Sequence, residues 1–72
     1  MKHRLTPRKL LLSKWTAVQP VQREKHFLVT ELLCDEVGNV LQVELQAVLS
    51  KRNQLLDWRE LQDAERWLMG WR

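Results

Sequence analysis

Apolar and polar residues alternate with a period of two through the middle of the chain. Val43, Leu45, Ala47 and Leu49 interleave with Gln42, Glu44, Gln46 and Val48. Successive side chains of a strand point to opposite faces. This run therefore predicts a strand from Asn39 or Val40 to about Ser50 with one buried side, and Leu41 extends the inward parity. The run from His26 to Cys34 is apolar on both sides. Phe27, Val29, Glu31 and Leu33 share one parity; His26, Leu28, Thr30, Leu32 and Cys34 share the other. A two-sided apolar strand belongs at the centre of a sheet or in a small barrel. Between the two runs lies Asp35-Glu36-Val37-Gly38, which suits a type I turn closed by a left-handed glycine. The pair predicts a long antiparallel hairpin whose register the turn fixes.

The flanks are read from weaker signals. Ser13 to Val18 predicts a strand with Trp15, Ala17 and Ser13 on one face. Gln19 to Glu24 predicts a loop, because Pro20 lacks a ladder donor and extends Gln19. Thr6-Pro7 is a helix-start signal, with Arg8 to Leu12 forming one or two turns. Residues 1–5 are expected to form a flexible basic terminus, and residues 6–72 a single compact domain. Lys51 to Gln54 is a polar connection. The tail has two readings. In one, Asp57 caps a helix with Glu60 as its capping-box partner, and Leu61, Ala64, Leu68 and Trp71 form its stripe. In the other, which is favoured, Leu55 to Arg59 is an edge strand, Asp63 caps a short helix over Ala64 to Met69, and Trp67 faces the sheet. The expected class is α+β. It is a small antiparallel β-meander of three to four strands, able to close towards an SH3-like barrel, with a short C-terminal helix and a short N-terminal helical turn.

Composition changes how the tail is read. A chain of 72 residues has room for one core and buries only about 60% of its unfolded surface. Cys34 is the only cysteine, so no internal disulfide can staple the fold. A lone thiol fits a reducing compartment. Four tryptophans are present, three of them between Asp57 and Arg72. Each can bury on the order of 150–250 Å². A core this small needs that area, so Trp15, Trp58 and Trp67 are assigned to it. They join Phe27, Val29, Val43, Leu45, Ala47 and Leu61. Trp71, close to the end, remains the best candidate for a contact residue.

Charge adds an asymmetry. Residues 1–14 hold Lys2, Arg4, Arg8, Lys9 and Lys14 with no acid, giving +5; residues 15–72 hold seven bases and nine acids, giving −2 and the net +3. Such an arm suits a polyanion or a solvated terminus. Leu10-Leu11-Leu12 is too short for a secretion signal, whose apolar region needs about 7–15 residues. No apolar stretch nears the roughly 20 residues of a membrane span. These features lead to an expectation of a cytoplasmic protein with no membrane partner.

Candidate chemistry is thin. His26 and Cys34 lie eight positions apart on one expected strand, roughly 26 Å at about 3.3 Å per residue, so they cannot be partners. Cys34 reads as a small buried hydrophobe. His3, His26 and Cys34 are too few and too scattered for a metal site. Gly38 and Gly70 cannot make a phosphate loop. Asp57, Glu60, Asp63 and Glu65 each lie within four residues of Arg59 or Arg66, which local ion pairs and caps explain. No catalytic residue, metal or cofactor is assigned, and the chain is not expected to be an enzyme. The expected role is a binding module for nucleic acid or a ribonucleoprotein through Lys9, Lys14, Arg23, Lys25, Lys51 and Arg52, with Trp15 or Trp71 stacking on bases. The alternative is a protein-interaction or homodimeric assembly module that covers a sheet edge or Trp71.

Several blocks carry a resemblance. They are Leu10-Leu11-Leu12-Ser13-Lys14-Trp15-Thr16-Ala17-Val18, Lys25-His26-Phe27 with Val29, Asp57-Trp58-Arg59-Glu60-Leu61 with Asp63, and Trp67-Leu68-Met69-Gly70-Trp71. In order and spacing they resemble a small bacterial tryptophan-rich family of uncharacterised proteins, from about residue 7 onward. The segment 31–42 is the least distinctive. The resemblance implies a compact, cytoplasmic, stand-alone domain and brings no activity or site residue with it.

Overall fold

A computed structural model describes residues 2–72; Met1 lies outside the described residues. Among these, five strands form one antiparallel sheet: β1 (Lys14–Val21), β2 (Glu24–Cys34), β3 (Val40–Ala47), β4 (Asn53–Asp57) and β5 (Trp67–Met69). Their order across the sheet is β4-β3-β2-β1-β5. The first four strands are a meander. The chain then crosses from the β4 edge to the β1 edge, where β5 pairs Ala17 with Trp67 and Trp15 with Met69.

The protein is essentially all-β, which corrects the α+β expectation. No α-helix occurs among the described residues; the helical pieces are 3-10 turns at Pro7–Lys9 and Trp58–Gln62. The carboxylate of Asp57 accepts from Arg59 N and opens the second turn. Asp63 accepts from Glu65 N, which makes an Asx turn rather than a helix cap. Ala64 to Met69 is too short to be stable as a lone helix. As a strand, Trp67–Met69 gains ladder bonds to β1 and carries the indole of Trp67 into the core. Nor does the sheet close into a barrel, because no ladder joins β4 to β5.

The hairpin around Gly38 forms with a change of parity. Val29 faces Leu45 and Glu31 faces Glu44, so Thr30 is an extra residue in β2. Such a bulge turns the side chains beyond it to the other face. It explains why the run looked apolar on both sides: Phe27 and Val29 point inward before it, and Leu32 packs on the core after it. A second irregularity lies between Leu33 and Cys34. There Val40 is buried while Leu41 is 50% exposed, the reverse of the expected parity. Cys34, expected to be buried, is exposed. Leu49 is exposed as well, since β3 ends at Ala47. The loop expected over 19–24 shrinks to two residues. Gln22 and Arg23 have φ of 55° and 65°, the left-handed pair that a tight primed hairpin turn requires.

The core consists of Leu10, Trp15, Phe27, Val29, Val43, Leu45, Ala47, Leu61 and Trp67. Leu10 enters it from the end of the first 3-10 turn, where no periodicity marked it. Trp58 is only partly buried and packs against the rim of this cluster. Phe27 and Trp67 meet edge to face, with centroids 5.3 Å apart. The N-terminal arm has tertiary contacts from Lys2 onward. The backbone of Lys2 forms an isolated antiparallel β-bridge with that of Asp63, and His3 donates from N to Gln62 O and from Nε2 to Trp67 O. Its ring lies 5.8 Å from that of Trp15.

Candidate functional site

The outer face of β1 and β2 carries an aromatic and cationic cluster that the tail completes. Inward Trp15 and Phe27 face each other across the ladder, so their neighbours Lys14, Thr16, His26 and Leu28 point outward. After β5, Gly70 takes φ of 80° and turns the chain onto this face. Thr16 holds the turn there. Its hydroxyl donates to Gly70 O at 2.7 Å and accepts from Arg72 N at 3.0 Å. Those bonds explain a threonine only 1% exposed on an outward position.

Trp71 is thereby laid over the sheet. Its Nε1 donates to Phe27 O at 2.9 Å, and 43% of the residue stays exposed. The Lys14 ammonium sits 4.8 Å from the ring centroid, a cation–π distance. The His26 ring is 6.2 Å away and tilted, and His26 Nε2 donates to Arg72 O. The result is a positioned indole with a lysine on its face and an arginine beside it. Such a group can stack on a planar ligand and neutralise an anion next to it.

The other expected contact residues are dispersed. Lys9 is in the first 3-10 turn, Arg23 at the tip of the β1–β2 turn, Lys25 on β2 and Lys51 in the β3–β4 connection; all are exposed. Trp15, weighed as a stacking residue, is buried at 1% exposure and cannot reach a ligand. Arg52 has a structural partner. Its Nε and Nη2 donate to the carboxylate of Glu24, which also accepts from Ser50. These bonds, with the guanidinium charge, hold the Glu24 carboxyl down at about 2 despite the opposing effect of burial. His26, Thr16 and Glu24 belong to these clusters, yet a sequence reading ranks them low. Only their cross-strand partners reveal them.

A groove of about 390 Å³ lies at the opposite face, lined among others by Ala17, Val21, Glu24, Phe27, Arg52 and Trp67. Its lining contains no serine, threonine, cysteine or histidine, and its most buried charge is already paired with Arg52. Trp67 Nε1 is buried without a hydrogen-bond partner. Among the described residues no group of three or more His, Cys, Asp or Glu is placed to hold a metal. No helix there is long and apolar enough to cross a membrane.

The comparison with known families fits the tryptophans placed above. A family described as tryptophan-rich protein, a domain of unknown function (DUF2389), matches residues 13–72. The chain belongs to this family. The match starts at Ser13, just before β1, so it spans all five strands and every residue of the Trp71 cluster. Among curated proteins and solved structures nothing matched. The tryptophan-rich family thus carries the sheet and the tail together, while the first 3-10 turn and its basic arm precede the matched region.

Proposed function

We propose that this member of the tryptophan-rich family is a non-catalytic cytoplasmic module that binds single-stranded nucleic acid, free or within a ribonucleoprotein. Trp71 stacks on a base, and Lys14 and Arg72 take the adjoining phosphates. The observation that supports this reading is the Lys14–Trp71 pair on the outer face. An exposed indole costs a small protein apolar area it needs elsewhere, yet this one is anchored through Nε1 and flanked by cations. Lys9, Arg23, Lys25 and Lys51, all exposed, add a longer-range attraction that steers an anionic strand. Arg52 is left out of the contact set because Glu24 already uses its guanidinium.

The test is a titration with short labelled RNA and DNA oligonucleotides at two salt concentrations. Binding should weaken steeply with salt, as counterion release requires. Trp71→Ala should lower affinity about tenfold to a hundredfold, the range of one lost base–aromatic stack. Trp71→Phe should retain part of it. The absence of binding at low salt, or equal affinity for wild type and Trp71→Ala, overturns the reading.

A further inference from the structure

We infer that β4 is a self-complementary edge through which two copies of this chain join their sheets. In the β3–β4 connection, Ala47 N donates to Arg52 O. In an antiparallel pair, residues alternate between those bonded to the neighbour and those whose groups point away. Arg52 faces β3, and the register pairs Gln46 with Asn53, Glu44 with Leu55 and Gln42 with Asp57. Asn53 and Leu55 therefore aim both N–H and C=O at the free edge, and Asp57 its N–H. Outside the strands and helices no described backbone bond engages Asn53 or Leu55, whereas the Asp57 carbonyl opens the 3-10 turn that Asp57 caps. Natural edges are normally blunted by lysine, proline or a bulge; Asn-Gln-Leu-Leu-Asp contains none of these.

The occupant is a second copy because the strand reads well against itself. Pairing two β4 strands antiparallel about Leu55 places Leu55 opposite Leu55, and Asn53 opposite Asp57 of the other copy. The outward groups of Leu55, the Asn53 C=O and the Asp57 N–H are then bonded, and the Asn53 N–H shares the other copy's Asp57 carbonyl with its 3-10 turn. Leu55, 55% exposed, gains an apolar neighbour, and each Asn53 amide meets a carboxylate. No like charges oppose each other within the five residues. Lys51 and Arg59 flank them and confine the pairing to that length. The two-fold axis is normal to the joined sheet, so both Trp71 faces lie on one side. With seven strand spacings of about 4.8 Å between the two β1 strands, the platforms are roughly 30–35 Å apart. The interface is small, so the dimer is weak and dissociates on dilution.

Sedimentation of the full chain from low to high micromolar concentration tests this without any ligand. A monomer–dimer equilibrium is expected. Leu55→Lys should raise the dissociation constant by roughly tenfold or more, because the two-fold sets two ammonium groups face to face. Leu55→Pro should abolish the dimer yet keep the β3–β4 ladder, since the lost N–H points away from β3; circular dichroism checks that both variants stay folded. A chain that is monomeric throughout the range, or a dimer that survives both substitutions, overturns the inference.

Discussion

The carboxylate of Glu24 is almost enclosed, with 7% of its side chain exposed, and it is held by Arg52, whose own side chain is 66% exposed. A guanidinium that sequence reading offers to a nucleic acid is thus spent on joining the start of β2 to the β3–β4 connection, with Ser50 as a third member. Its effect on stability has a definite sign. The carboxyl is held at about 2 in the folded protein, below its usual 4.5. Its contribution is therefore complete above about pH 4.5 and is lost as pH falls from there through about 2. Unfolding followed by denaturant across that window should show stability declining with acid. Glu24→Gln should flatten this part of the profile. A variant with the wild-type acid dependence would mean that other carboxylates produce it.

Thr16 should control the tail without controlling the fold. Thr16→Val keeps the shape of the buried side chain but removes the hydroxyl that bridges Gly70 and Arg72. The expected loss is about 1 kcal/mol, because the freed Gly70 carbonyl and Arg72 N–H can recover water at the surface. The Trp71 indole should become more mobile and more exposed to quenchers, and oligonucleotide affinity should fall with it. Thr16→Ser should restore both. Unchanged quenching in Thr16→Val would show that the Nε1 bond to Phe27 O suffices to hold the ring.

The β1–β2 turn should be improvable. Gln22 and Arg23 both adopt left-handed backbone, which disfavours residues with a Cβ by about 1–2 kcal/mol each. Replacing the pair together, Gln22→Asn with Arg23→Gly, supplies the sequence that this turn geometry prefers. Thermal unfolding should report a gain of about 1 kcal/mol or more. A neutral or destabilising result would mean that the two side chains make compensating contacts.

Much of the central hairpin was legible because its determinants are local. Alternation of Val43, Leu45 and Ala47 sets the buried face of β3. The acceptor side chain of Asp35, bonded to Val37 N and Asn39 N, and Gly38 with φ of 95° set the turn. The bulge at Thr30 was hidden, since one added residue changes parity without changing composition. The β1–β2 turn was hidden for a different reason: Gln-Arg carries no turn signal, and the two strands impose the left-handed geometry on it.

The sequence alone determined that this chain needs its tryptophans, since 72 residues without a disulfide have little else to bury, and it marked Trp71 as the one free to face outward. The tail's form was decided only by tertiary structure. Asp57, Glu60 and Asp63 are helix-start residues by local rule, yet Trp67–Met69 runs as a strand because β1 offers it an open edge. The residues that pair there, Ala17 and Trp67, are 50 positions apart, and no local periodicity reports a bond made across that distance. The same crossing lays Trp71 over Lys14 and leaves β4 uncovered, so the exposed indole and the open edge both follow from a contact the linear chain does not show.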